Sequence, residues 1–553
     1  MSLRAGGGAR LRFDLAIVGI GSLALLLYAR SFRFFCDDAF ISLRYARNFA
    51  TLGAPVYNAG ERVEGYTSFA WMAITALFMR AGLDGVAAAQ VAGALSGVFL
   101  VASTWWLWTS MEPEHPWVGV FVIAGLALSA PVAAWTLGGL ETPLFAALVV
   151  ASIGVVARVA GSPSRSSGVW AGAAFAVSTL ARPEGAALFA VVVIVVAVFA
   201  ARRPLLRCAL ADAVLTYSVL VGAFVAWRWW YYGAPLPNTF YLKMSGERPE
   251  MLRRGLRYLS LALRDFGPAC TVTLLACMLV PARPAGQDAP DDRGATVRRT
   301  TLWIARIFTA VMIGYVAWIG GDFLDLDRFL VPLFPLIAVV VGAAACRALE
   351  LLSPAIPPVA LSFSLLCATL FPYAVRQSTT LNQRARAISE PTRADADVEP
   401  LGWTALYARR WAAMGRWIAA HAQPDDWMAT GAAGAMPFYA GIRNLDRLGL
   451  CDAYVARAGE KLSDRPGHQR VAPLSYTLSK DPVFLMIDDA ALDAPEPPPR
   501  DPYWESKGYV WMVVRLDARY GASPPSWHKF LMRKDRAAAL IPEDGVESAL
   551  TAP

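Results

Sequence analysis

Charge is scarce in this chain. Of 553 residues only 17% are Asp, Glu, Lys or Arg, while 56% are hydrophobic, and a soluble domain carries roughly 25% charged residues. With a mean hydropathy of +0.42, this excludes a string of soluble domains as the account of the whole length. Cysteine gives no framework: Cys36, Cys208, Cys270, Cys277, Cys346, Cys367 and Cys451 lack CxxC spacing and lie mostly in apolar segments. They read as small buried hydrophobes, and neither a disulfide scaffold nor a zinc site is expected. The four histidines, His115, His421, His468 and His528, have no metal-ligand spacing and are assigned no chemistry. There is no fixed-period repeat and no collagen-like or Gln-rich tract. The basic excess, 51 Lys and Arg against 43 Asp and Glu, is spread over short loops, which fits membrane topology and gives no patch for nucleic acid.

What is present is a series of apolar runs near twenty residues, each able to cross about 30 Å of hydrocarbon. Scattered Pro and Gly and uneven alternation do not fit barrel strands, so the spans are helices. The runs are 14–31, 67–83, 85–108, 117–137, 140–158, 168–182, 185–201, 208–230, 263–281, 301–320, 329–347 and 354–375. The first follows Arg4, Arg10 and Arg12 without a small-residue cleavage site, so it reads as a retained helix with its amino terminus inside. Arg158 with Arg165, then Arg202, Arg203 and Arg207, then Arg283, Arg293, Arg298 and Arg299 mark cytoplasmic loops. An inside start and an outside tail need an odd number of crossings. About eleven are expected, with a re-entrant or interfacial segment within 67–108, where Asp84 interrupts the apolar pattern. From about residue 376 Arg, Asp, Glu and Pro become frequent. A separate soluble α/β domain is expected over 376–553, with strands at 483–487 and 509–514 and helical spacing over Trp411–His421. The fold class is thus an all-α polytopic membrane bundle over 1–375 followed by a small C-terminal soluble α/β domain.

The candidate chemistry sits in the outward loops. After the first helix, Asp37 and Asp38 open an amphipathic helix, within a first outer loop spanning about 32–66. Two adjacent carboxylates at a membrane surface raise each other's pKa and suit a base, and Asp is equally a good helix N-cap. The following loop carries Glu61, Arg62, Glu64 and Tyr66, which read either as a binding surface or as a structural charge network with Arg44. Glu141, Arg182 with Glu184, and Asp322 with Arg328 recur in other outward loops, and ionisable groups beside membrane helices usually face a cavity or a partner. Basic groups at headgroup level suit a lipid phosphate, and carboxylates beside them suit proton removal from a hydroxyl nucleophile. The aromatic run Trp227–Tyr232 leads to Asn238 and Lys243. An interfacial belt explains its rings, and sugar stacking with a phosphate contact from Lys243 is the functional reading.

Taken in order, "DDAFISLRYARNF…VYNAGERVEGYTSFAWM", "GLETPLF", "ARPEG", "YYGAPLPNTFYLK" and "GGDFLDLDRFLVPLFP" resemble bacterial GT-C-fold glycosyltransferases. The likeness is greatest to mycobacterial cell-wall arabinofuranosyltransferases that use decaprenyl-phosphoryl-arabinose, and it spans roughly residues 15–345. "ATGAAGAMPFYAGIRNLDRLGL" in the tail is similar to an outward-facing segment of that class. The resemblance implies inverting transfer of a sugar from a polyprenyl-phosphate donor to a glycan or glycolipid acceptor, outside the bacterial inner membrane. Asp38, in preference to Asp37, is implied as the base. Arg44, Arg62, Arg182, Lys243 and Arg328 are implied as phosphate or carboxylate partners, and Glu61, Glu64, Glu141, Glu184 and Asp322 as sugar-hydroxyl ligands or orienting groups. No metal and no cofactor beyond the donor is expected. A transporter or flippase, which predicts inverted repeats that the sequence does not show, and a non-catalytic assembly protein are the competing readings.

Overall fold

The computed structural model describes residues 7–32, 34–201, 203–280, 293–352, 373–381, 398–492, 494, 496–540 and 546–548. The first part is helical throughout: α1 (Gly7–Phe32), α2 (Asp37–Leu52), α3 (Phe69–Arg80), α4 (Gly85–Met111), α5 (Pro116–Ala127), α6 (Ala130–Leu137), α7 (Thr142–Gly161), α8 (Arg165–Ala181), α9 (Glu184–Ala200) and α10 (Pro204–Tyr232). It continues through α11 (Asn238–Lys243), α12 (Arg248–Phe266), α13 (Pro268–Leu279) and α14 (Arg293–Trp318), then a 3-10 turn over Arg328–Leu333 that runs into α15 (Phe334–Leu352). Fully buried Trp71, Trp108, Trp135, Phe145, Phe175 and Phe308 fill the bundle. Exposed Leu215, Val219, Trp229 and Trp230 along α10 present to the surroundings the apolar face a soluble protein would cover. Close helix contact is bought by small residues: a Cβ on Gly168 of α8 would stand 2.2 Å from the Ala209 carbonyl oxygen of α10.

The protein is a multi-pass membrane bundle. Among the described residues six helices are long and apolar enough to cross, or up to eight if the bent pairs α5–α6 and α12–α13 each count as one span. The 59° bend between α5 and α6 falls just before Pro131, which lacks the N–H needed to continue the ladder. Beyond these eight, the expected eleven comprise α8 and α9, of 17 residues each, and residues 354–375, which lie mostly outside the described residues. With 12 residues, α3 rises only about 18 Å and is too short to cross alone. It packs with α2 and Cys451 of the tail in one apolar cluster, in the region where the sequence places a re-entrant or interfacial segment.

The tail is built on α16 (Leu401–His421) and a six-stranded mixed sheet with the order β2-β1-β5-β7-β6-β8. Strands β1 (Trp427–Thr430), β2 (Arg443–Asp446) and β5 (Phe484–Leu492) run parallel, while β6 (Tyr509–Leu516), β7 (Ser526–Arg533) and β8 (Val546–Ser548) pair antiparallel; β3 (Glu460–Lys461) and β4 (Arg470–Val471) form a separate antiparallel pair. The strands expected at 483–487 and 509–514 are β5 and β6, and the expected helix begins ten residues earlier, at Leu401. Trp417 of α16 packs edge-on to Phe484 and Phe530 of the sheet. At the expected boundary of about 376 the chain lies against the bundle. Gln377 accepts a bond at its side chain from the Ala130 N–H and at its carbonyl from the Tyr28 hydroxyl, so residues 373–381 belong to the bundle. The six described cysteines are free, and Cys367 lies outside the described residues.

Candidate active site

The short segment Phe34–Cys36 turns the chain out of α1 and starts α2 with Asp37 and Asp38. The tail lies directly on this helix start. The Ala435 N–H donates to Asp37 Oδ1 at 2.9 Å, and Gly434 passes so close that a Cβ there would meet Asp37 Oδ2 at 2.3 Å. Only glycine permits that approach. The tail is therefore not a free-standing module, because its segment 433–450 forms part of the wall around the carboxylates.

Between α2, α11, the Gly320–Arg328 loop and the tail lies a cavity of about 310 Å³. Its bundle side carries Asp37, Asp38, Lys243, Asp322 and Arg328, and its tail side carries Glu399, Thr404, Tyr407, Arg465 and His468. Arg328 grips Asp322 with both arms of its fork, at 2.6 and 3.0 Å. Leu326 and Asp327, at φ 56° and 49°, curl the chain back so that the pair can form, a left-handed conformation that costs on the order of 1 kcal/mol per residue. Arg465 pairs with Glu399 and lies 4.6 Å from the Phe323 ring centroid. Two charges in the cavity remain uncommitted: among the described residues neither the Asp38 carboxylate nor the Lys243 ammonium has a direct hydrogen-bonding or ion-pair partner. The Lys243 side chain is exposed and lines the cavity.

Burial sets the electrostatics. It pushes Asp37 up to about 7, the Ala435 N–H opposing and the Asp38 charge adding to the rise. Burial also raises Asp38, against the pull of Arg328 and Lys243, and it lowers Lys243 together with the neighbouring Arg328 charge. His468 falls to about 4 through burial and the nearby Arg465, so its imidazole is neutral at physiological pH. A folded-state pKa above the ordinary 3.8 means that the Asp37 contribution to stability is complete at low pH, declines as pH rises from about 4 to about 7, and is flat above. Asp37→Asn keeps the oxygen that accepts from Ala435 and removes the charge. At pH 8 it is expected to melt at least ~2 °C above wild type, with less than about half of that advantage left at pH 5. Melting curves at the two pH values check this, and equal shifts at both would contradict it.

Of the residues singled out in the sequence, the structure brings Asp37, Asp38, Lys243, Asp322 and Arg328 to the cavity and places the others around it. Glu141, Arg182 and Glu184 form a closed triad behind Phe329, with Arg182 reaching Glu141 at 2.7 Å and Glu184 at 2.8 Å. Glu64 is paired with Arg228 at 2.8 Å, and burial raises it to about 7. Tyr66 meets the Tyr232 hydroxyl at 3.0 Å. Glu61 accepts from Asn58 at 2.8 Å, and exposed Arg62 lies over Tyr231. Asn238 directs its amide to the Gly449, Leu450 and Asp452 carbonyls. Arg44 donates to the Tyr57, Pro437 and Ile442 carbonyls and to Asn58 Oδ1. These side chains hold the loops and the tail in place. The tail residues Glu399, Arg465 and His468 were missed by sequence reasoning. The turn-forming Pro466-Gly467 between an arginine and a histidine was the available signal. At the opposite end of the bundle Glu112, His115 and Cys346 bring ligand atoms within 4.8 Å of one another, an arrangement that spacing did not reveal. Both Glu112 oxygens there are engaged by Arg298, at 2.5 and 3.0 Å.

Comparison with known proteins follows the same division of the chain. A family model described as a domain of unknown function (DUF8728) matches residues 402–535, within the tail. The terminal beta-(1->2)-arabinofuranosyltransferase of Mycobacterium tuberculosis is 30% identical over 338 residues, 56% of this chain and 52% of that protein. The chain thus matches about half the length of this curated relative. In three dimensions ArnT from Cupriavidus metallidurans in the apo state aligns over 96% of this chain and 99% of its own, with a TM-score of 0.54 at 14% identity. The Archaeoglobus fulgidus oligosaccharyltransferase in complex with Zn and sulfate aligns over 77% and 62%, with a TM-score of 0.52 at 12% identity. At these identities the likeness is one of fold, and the fold is the GT-C architecture that the ordered motifs led us to expect.

Proposed function

We propose that the protein is an integral-membrane inverting glycosyltransferase that moves a sugar, arabinofuranose by preference, from a polyprenyl-phosphate donor to a glycan or glycolipid acceptor of the cell envelope. The observation that carries this reading is the pairing, across one cavity, of an uncommitted carboxylate and an uncommitted ammonium, Asp38 and Lys243. The fold and the arabinofuranosyltransferase relative support it. In the proposed reaction Asp38 takes the proton of the acceptor hydroxyl as its oxygen attacks the anomeric carbon. The bond from that carbon to the phosphate oxygen breaks on the opposite face of the sugar, and its electron pair leaves with the lipid phosphate. Lys243 meets the charge that develops on that phosphate, so the reading needs no cofactor beyond the donor. The Arg328–Asp322 and Arg465–Glu399 pairs keep the surrounding wall rigid and polar.

The reading places the protein in the bacterial inner membrane with the cavity and the tail on the periplasmic side. Arg158, Arg165, Arg203 and Arg298 lie at the helix ends away from the cavity, as a cytoplasmic assignment of those loops requires. Acceptor-dependent release of polyprenyl phosphate from a panel of lipid-linked sugars tests the activity, and a transporter would move the donor without that release. Lys243→Gln is expected to weaken donor binding by about 10-fold to 100-fold. Titration of the purified protein with a polyprenyl-phosphate sugar measures it, and unchanged affinity would remove Lys243 from the phosphate.

A further inference from the structure

A second cavity, of about 720 Å³, lies behind the first. The two share no lining residue. The wall between them is the start of α2 with the first turns of α16: Asp37 and Asp38 face one side and Phe35 and Phe40 the other, and Tyr407 faces one side and Ala408 the other. Three arginines, Arg30 from the end of α1 with Arg409 and Arg416 from α16, line the second cavity, and no carboxylate does. Arg30 has no hydrogen-bonding or ion-pair partner among the described residues, and Arg409 donates only within its own helix, to Ala405 at 3.2 Å. Arg416 is held to the Tyr520 carbonyl at 2.9 Å and lies 4.1 Å from the Tyr439 ring centroid. Apart from Gln90 of α4, the remaining wall is aromatic and aliphatic, supplied by α1, α2, α4 and α6 at the end of the bundle that meets the tail and by the tail itself.

Three guanidinium groups beside apolar walls, at the level where the helices leave the membrane, are complementary to an anionic headgroup with its upper acyl chains. We propose that this cavity is a lipid site for an anionic phospholipid, whose phosphate is held by Arg30, Arg409 and Arg416 and which braces the tail against the bundle. The wall at Phe35 and Phe40 separates an occupant of this cavity from the carboxylates, which is why a resident phospholipid, and not the sugar donor, is the occupant.

The test uses the full-length protein after delipidation, titrated with short-chain phosphatidylglycerol and followed by native mass spectrometry. One tightly held lipid is expected for wild type, and Arg30→Gln with Arg409→Gln together should weaken it by at least about tenfold. Among the described residues neither side chain has a hydrogen bond or ion pair to the tail sheet, so the double variant is expected to fold, and an unchanged melting temperature without lipid controls for that. The same tight binding in the double variant, or equal binding of phosphatidylcholine, would overturn the proposal. Displacement of the phosphatidylglycerol by undecaprenyl phosphate would also overturn it, by making this a donor site. The readout is binding, so it stands apart from whether sugar transfer is observed.

Discussion

Asp38→Asn is expected to lower sugar transfer by about a thousandfold while leaving donor affinity within about threefold of wild type. Removal of a general base costs about 100-fold to 10,000-fold, and the asparagine fills the same volume without the charge. The position allows no substitute: Asp37 is bonded to the Ala435 N–H and packed under Gly434, and Glu399 is paired with Arg465. Of the two adjacent carboxylates, Asp38 is the one left open to the cavity. A variant that lost donor binding in proportion to rate would place Asp38 in ground-state binding instead. Equal losses from Asp37→Asn and Asp38→Asn would mean that the pair acts as a unit.

Arg44→Met is expected to be the most destabilising single change in the protein, costing about 3–5 kcal/mol. Arg44 is 3% exposed and joins α2 to the following loop at Tyr57 and Asn58 and to the tail at Pro437 and Ile442, 393 and 398 residues away. Methionine fills the space but removes four charge-assisted bonds; the Tyr57 and Pro437 carbonyls and Asn58 Oδ1 keep a donor each from Asn48, Gly441 and Asn444, and the Ile442 carbonyl loses its own. Arg44→Lys restores the charge but not the planar fork, and is expected to recover less than half of the loss. Melting temperature and protease sensitivity of the tail read the effect. A variant that kept wild-type stability but lost activity would return Arg44 to the role of substrate partner.

Much of this architecture was legible because lipid imposes simple rules. Runs such as 85–108 and 208–230 have no alternative to helix, and α4 and α10 are found there. The Asp pair was legible because carboxylates at a membrane interface are expensive and stand out. Which ionisable groups reach the cavity was not legible. Glu64 and Arg228 are 164 residues apart in sequence and Glu141 and Arg182 are 41 apart, and only the packing of the helices decides that such charges neutralise each other. The bonds of Arg44 were hidden for the same reason, since its four acceptors are mostly backbone carbonyls, which carry no side-chain signature. The tail's share of the site was hidden by its reading as a separate soluble unit. Its charged residues looked like a solvated surface, whereas Glu399, Arg465 and His468 line a shared cavity.

The central claim is that Asp38 and Lys243 together move a sugar across one cavity. The most direct measurement is a transfer assay in proteoliposomes with polyprenyl-phosphate arabinofuranose and a cell-envelope glycan acceptor, following released polyprenyl phosphate and sugar-bearing acceptor at once. One lipid phosphate released per sugar transferred, dependent on acceptor and lost in Asp38→Asn with the donor still bound, is the predicted result. Donor that binds to wild type, and is neither consumed with any acceptor nor affected by either substitution, would contradict it.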